Sequence, residues 1–309
     1  RLGFPQTGNL HIPIKTLLQE LDVDFVSPPP LTRRTMSLGA KYSPEGVCIP
    51  FKLTLGSMIE VCELGADSLV QVRGFGICRL GYYAKVQEQI LSDLGYKAEI
   101  LKFSVSEGNK LLGFLRVFKK LSGDAPWSKV IPAYHFGMTK LHLLDKLDEV
   151  VRKTRPVELE KGTANRIFKE AVEAVDKVSD HASLKRVKRE YLERLEQVPK
   201  NPDAHPLIVG IVGEIFVVLE PYSTLDVEME LGKLGVEVRR TLSFSHWTTC
   251  SFYLNPLGVD EWKDVHKAAL PYLRRDVGGD GWESVGEKVL HSREYDGVVH
   301  VAPFTCLPE

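Results

Sequence analysis

Apolar and polar positions alternate along the chain with two different periods. Ile12, Ile14, Leu17, Leu18 and Leu21 recur at helical spacing, and a short strand over 23–26 follows before Pro28-Pro29-Pro30. The pattern then predicts a helix over 50–64 closed by Gly65, a strand over 68–72, a helix over 78–94 closed by Gly95, and a strand over 97–103. From about Thr139 to Pro199 the texture changes to dense charge, with Ile167, Ala171, Val175 and then Leu184, Tyr191 and Leu195 on helical faces. Pro206 opens a second alternating block: strand 207–212, helix 225–234 closed by Gly235, strand 236–240, helices over 260–274 and 282–290, and a last strand over 297–301.

Helices alternating with strands imply a mostly parallel sheet covered on both faces. The expected fold class is therefore α/β, with two Rossmann- or flavodoxin-like parallel-sheet domains and a helical connecting segment. The expected boundaries are 1–130 for the first domain, carrying Cys48 and Cys78, 131–205 for the helical segment, and 206–309 for the second domain, carrying Cys306. A length of 309 residues suits two or three cores of ordinary size.

Composition narrows the function classes. With 43% apolar and 26% charged residues the chain is ordinary for a folded globular protein, which argues against wholesale disorder. Forty Lys and Arg against 41 Asp and Glu leave a charge of −1, so nothing in bulk draws the chain to nucleic acid or an anionic membrane. The basic run Lys185-Arg-Val-Lys-Arg189 reads as the solvated face of an amphipathic helix. No apolar run approaches the ~20 residues of a membrane helix, and no basic segment with an apolar signal core opens the sequence. A soluble, cytoplasmic protein is expected. The sequence begins without Met and ends three residues past Cys306, so a longer native chain is expected as well.

Five cysteines without regular spacing do not form a disulfide framework in a chain of this size, and reduced cysteines point to metal or catalytic chemistry. Cys78 follows a strand and a glycine turn, Cys306 follows the last strand, and Cys48 precedes Pro50 at a helix start. Ligands of open α/β sheets gather beyond the carboxyl ends of strands, and a helix N-terminus favours thiolate sulfur. Each thiol also reads as a small buried hydrophobe, and that reading stays open. Cys62 and Cys250 read as core residues. The separations match no zinc or ferredoxin motif, because no C-x-x-C pair is present.

Nucleotide motifs are weak. Gly74-Phe-Gly76 opens a helix after a strand, but Arg79 stands where the third glycine of G-x-G-x-x-G belongs. Asp276-Val-Gly-Gly-Asp280 is similar to a phosphate loop of sugar kinases and actin but lacks the hydroxyl residue and a preceding strand. Glu214, directly after strand 207–212, and His246 are candidates to face the same crevice as acid, base or substrate contact, with hydrogen-bonded structural roles as the alternative.

Four stretches carry a family resemblance: Lys41-Tyr-Ser-Pro-Glu-Gly-Val-Cys-Ile-Pro-Phe-Lys52, Gly74-Phe-Gly-Ile-Cys-Arg-Leu-Gly-Tyr-Tyr83, Gly278-Gly-Asp-Gly-Trp-Glu-Ser-Val-Gly286 and His300-Val-Ala-Pro-Phe-Thr-Cys-Leu-Pro-Glu309. Together they resemble the superfamily of 2-hydroxyacyl-CoA dehydratase and benzoyl-CoA reductase subunits, nearest to members related to acyl-CoA dehydratase activases and to double-cubane cluster proteins. The resemblance implies a 4Fe-4S cluster held by Cys48, Cys78 and Cys306, with one iron left open to a small-molecule substrate. It also implies a separate ATP-hydrolysing iron–sulfur activase as electron donor, and a homo- or heterodimeric assembly. Glu214 is the weak catalytic candidate in such a site. A double cubane would need about six cysteine ligands, so a single cluster is expected. The sequence departs from the family where Gly76-Ile-Cys-Arg79 replaces the usual Gly-Pro-Cys-Arg, and the acyl-CoA binding features are not recognisable. The alternatives are a non-catalytic electron-transfer or cluster-carrier subunit, and a zinc-binding structural protein.

Overall fold

The computed structural model describes residues 1–73, 78–104, 110–254, 257–259, 261–275 and 277–306. Gly74-Phe-Gly76 and Asp276, singled out above, and the last three residues lie outside the described residues.

The protein is mixed α/β with two parallel sheets and many helices. The first sheet has the order β2-β1-β3-β4, from β1 (Leu2–Gly3), β2 (Phe25–Val26), β3 (Ser68–Arg73) and β4 (Glu99–Ser104), every pair parallel. Between these strands run α1 (His11–Glu20), α2 (Arg33–Tyr42), α3 (Ile49–Glu63) and α4 (Leu80–Asp93). Next come α5 (Lys110–Leu121), α6 (Trp127–Thr154), α7 (Thr163–Lys177) and α8 (His181–Glu196). The second sheet is β6-β5-β7, also parallel, from β5 (Ile208–Gly213), β6 (Glu237–Arg239) and β7 (Gly297–Val301). Its connections hold α9 (Ile215–Leu219), α10 (Val227–Lys233), α11 (Phe244–Thr249), α12 (Lys263–Ala269) and α13 (Gly281–Leu290).

One apolar core joins the two sheets. Leu2, Phe4 and Val70 from the first side pack in the same cluster as Ile211, Val218 and Val238 from the second, with Val130, Tyr134 and Leu141 of α6 between them. A second core lies among the far part of α6, α7 and α8, around Leu144, Leu147, Ile167, Ala171, Leu184 and Leu195. The apolar faces read from the sequence over 167–195 are thus the inner faces of a three-helix packing. Its basic run, on α8, leaves Lys185, Arg186, Lys188 and Arg189 exposed.

Two elements escape the hydrophobic pattern. β1 is two residues long, too short to show a period. Helix α2 buries only Thr35 and Gly39 and is specified by its cap: Thr32 Oγ1 accepts from Arg34 N and Thr35 N, while Thr35 Oγ1 accepts from Thr32 N at 3.0 Å. Helix α12 ends five residues before the expected boundary, because Leu270-Pro271 disfavours further helix. Conversely α6 starts at Trp127, well before 139. Pro132 interrupts the pattern in the sequence, yet the helix runs through it.

Helices α2 and α3 touch backbone to backbone. A Cβ at Gly56 would lie 2.0 Å from the Thr35 carbonyl oxygen, and one at Gly39 would lie 1.7 Å from that of Lys52. Above this seam the buried Glu60 accepts from Thr35 Oγ1 at 2.7 Å and from Arg34 Nη1 at 3.0 Å. Because backbone cannot yield as a side chain does, Gly56→Ala should separate the helices and cost about 1–3 kcal/mol, the range of overpacked cores. Urea unfolding measures it: the expected result is a lower midpoint at unchanged slope, and an unchanged midpoint would refute the close seam.

Candidate functional site

Cys48, Cys78, Glu214 and Cys306 all stand at the carboxyl side of the sheets. Cys48 is the N-cap of α3, with Pro50 in the first turn, and is 6% exposed. Proline has no N–H to lose there, so it fixes where the helix starts and hence where the thiol sits. The Sγ lies 2.6 Å from the Tyr83 hydroxyl on α4, whose ring packs edge-on against Phe51. Cys78 lies two residues before α4, and Cys306 closes a turn after β7 in which its N–H donates to the Pro303 carbonyl at 3.0 Å.

One acceptor ties the three cysteine segments together. The Gly46 carbonyl, two residues before Cys48, accepts from Arg79 Nη1 at 2.7 Å and from Thr305 Oγ1 at 3.2 Å. Arg79 adjoins Cys78, and Thr305 adjoins Cys306. Thr305 has φ of 69°, a left-handed conformation that a β-branched residue rarely adopts. Such a residue costs of order 1–3 kcal/mol and persists where its surroundings hold it. Leu53 of α3 also packs with Phe216 and Val217 of α9, with Ile49 and Val301 beside them, so the first half of α3 meets α9 and the end of β7.

Glu214 enters the same region by a tight crossing. Gly213 has φ of 144°, and a Cβ there would lie 1.8 Å from the Val301 carbonyl oxygen, so only glycine lets β5 end this close to β7. Glu214 N donates to that same carbonyl at 3.1 Å. Its carboxylate then accepts from Phe216 N at 3.2 Å and Val217 N at 2.9 Å, while Asp280 Oδ2 accepts from Ile215 N at 2.8 Å. Two carboxylates thus cap the short helix α9.

Burial dominates the protonation chemistry. Glu214 keeps part of its surface open, but most of its surroundings are protein. Desolvation, with the charge of Asp280 added, pushes its carboxyl up to about 7. Asp280 rises to about 6, chiefly by burial and secondarily from Glu283. The Cys78 thiol is also pushed up, first by burial and then by Cys48, Glu214 and Asp280, against a backbone hydrogen bond at Leu80 that lowers it. Burial, with the Cys48 neighbour, raises the Tyr83 phenol as well.

The expected residues separate cleanly. The structure brings the Cys48, Cys78 and Cys306 segments to Gly46, and it sets Glu214 within electrostatic reach of Cys78. His246 is elsewhere: it is exposed on α11, against Cys250 Sγ at 3.5 Å and the Trp262 ring. Cys62 is buried in α3 with its thiol pushed up to about 11, mainly by desolvation, and Cys250 is 1% exposed. Both are core residues. Tyr83 and Thr305 were not singled out by sequence reasoning, while Arg79 was read only as a departure from a glycine motif and Asp280 only as the end of a glycine-rich loop; Arg79 and Thr305 flank cysteines, which is the signal that could have found their role. Among the described residues, no group of three or more His, Cys, Asp or Glu side chains is arranged to hold a metal ion.

The raised carboxyl of Glu214 has a thermodynamic consequence. A folded-state value near 7 against about 4.5 unfolded means the folded state binds the proton more tightly. Its contribution, about 3 kcal/mol, is full below about pH 4.5 and is lost as pH rises through about 7. Wild-type stability should therefore fall across that window, and Glu214→Gln should flatten the fall; denaturant titrations at several pH values would show an equal slope in both proteins if the carboxyl were ordinary. Comparison of the chain with protein-family models gives no match, and comparison with curated proteins gives none.

Proposed function

We propose that this is an iron–sulfur protein in which Cys48, Cys78 and Cys306 hold a 4Fe-4S cluster, working as the cluster-bearing component of an ATP-dependent low-potential reductase or dehydratase. The observation that carries the reading is the convergence of three cysteine segments, 30 and 228 residues apart in sequence, on one backbone carbonyl. The parallel order β2-β1-β3-β4 supports a flavodoxin-like first domain, and β6-β5-β7 repeats its central pattern. In open sheets of that kind ligands gather beyond the carboxyl ends of the strands.

The donor set fits the group in chemical type. It offers three thiols, one of them at the N-terminus of a fifteen-residue helix. Three thiolates would leave one iron without a protein ligand, and the cluster when bound would supply single electrons at a potential set by its surroundings. The chain itself contributes position and protons. Tyr83 holds the Cys48 side chain, Arg79 and Thr305 fix the flanking loops, and Glu214 carries a proton at its carboxyl near neutral pH beside Cys78. A small-molecule substrate would approach from the carboxyl side of the sheets, and a separate ATP-hydrolysing iron–sulfur activase would deliver the electrons.

Anaerobic purification with iron and sulfide analysis tests the reading. The expected result is about four iron and four sulfide per chain. That content should be lost in Cys48→Ala, Cys78→Ala and Cys306→Ala and retained in Cys250→Ala. A single zinc, or iron content indifferent to the three substitutions, would overturn it. With the cluster present, activase and MgATP should change its visible and EPR signals; full reduction by dithionite but none by activase would leave an electron carrier without the ATP-coupled role.

A further inference from the structure

A cavity of about 250 Å³ lies away from the cysteines, between α6, α7, α10 and the carboxyl end of β6. Most of its charged lining is neutralised internally. Arg240 binds Asp148 and Glu228, and Arg152 binds Asp148 at 3.2 Å. What remains unmatched is more informative. Arg155 is 6% exposed, yet no carboxylate lies within 4.0 Å of it among the described residues. Its Nε donates to Asn165 Oδ1 at 2.7 Å and its Nη1 to the Glu228 carbonyl at 3.2 Å, leaving Nη2 without a hydrogen bond among the described residues. The site is shaped for this side chain: a Cβ at Gly232 would lie 2.3 Å from Arg155 Cδ.

Further open groups line the same cavity. Asp145 Oδ2 accepts from Ser245 N at 2.8 Å, and Oδ1 has no partner among the described residues. Asn165 accepts from Arg155 and has its own amide N–H₂ to give. Phe168 and Phe244 supply apolar walls. Asp145 and Arg155 line this one cavity, the first with an open acceptor and the second with an open donor. Hydroxyl groups suit that pairing, because each both donates and accepts. A volume of about 250 Å³ is the share of roughly eight waters at ~30 Å³ each, the scale of a monosaccharide.

We infer that this cavity binds a neutral polyhydroxylated molecule of monosaccharide size, its hydroxyls between Arg155, Asn165 and Asp145 and its apolar face on the phenyl rings. This inference is independent of the cysteine site. Saturation-transfer NMR on the intact chain, with D-glucose, D-galactose, D-ribose and myo-inositol as probes and acetate and ethylammonium as charged controls, tests it. At least one polyol should give a saturable signal. Asn165→Ala, which removes one donor, should weaken it by roughly fivefold, and Met229→Trp, which fills the cavity, should abolish it. Circular dichroism identifies which variants remain folded, and Asn165→Ala decides if Met229→Trp does not. No saturable polyol, a signal unchanged in the folded variants, or preferential binding of a charged control would overturn the inference and leave a water-filled cavity.

Discussion

Helix α6 bridges both sheets, and the charges it turns toward β6 and α10 are matched in a buried network. Asp148 sits between Arg152 on its own helix and Arg240 at the end of β6, and Arg240 reaches on to Glu228 of α10. Arg240 holds its proton still more firmly than usual: burial opposes it, but the surrounding Glu228, Asp148 and Asp145 charges prevail. Such a set adds little net stability relative to apolar residues of the same shape, while removal of one member leaves an uncompensated buried charge worth about 3–5 kcal/mol. Its contribution is therefore to orientation. It fixes how the second sheet sits against α6, and α6 in turn shares its apolar face with the first sheet.

That orientation matters because the candidate site is assembled from both sides. The α3 start belongs to the first sheet's connections; Glu214 and the turn to Cys306 belong to the second. The local pinch at Gly213 and the strained Thr305 make sense as parts of one junction, where the end of β7 and the helix that follows β5 pack against α3. A glycine at 213 and a left-handed threonine at 305 are costly choices for stability alone. They aim the chain toward Gly46.

The α/β alternation was legible because buried strands such as Ile208–Gly213 are short apolar runs between turn residues, and amphipathic helices such as Thr163–Lys177 carry a strong helical period. Helix α2 was not, since backbone contact with α3 and a threonine capping box replace the apolar stripe. At the site, position after a strand or before a helix was enough to pick Cys48, Cys78, Cys306 and Glu214. Tertiary partners were hidden: Asp280 reads as part of a glycine-rich loop, yet its carboxylate caps α9. His246 shared the block with Glu214 but not its strand end, which is why it falls outside.

The central claim is that three cysteines distant in sequence form one site. A short bifunctional thiol reagent, applied to the metal-free chain and followed by peptide mapping, tests that proximity without requiring any bound group. The account predicts a cross-linked pair joining the Cys78 and Cys306 peptides, with Cys62 and Cys250 unmodified in the folded protein. Single modification of Cys306 with no bridge to Cys78 or Cys48, under conditions where the chain remains folded, would contradict it.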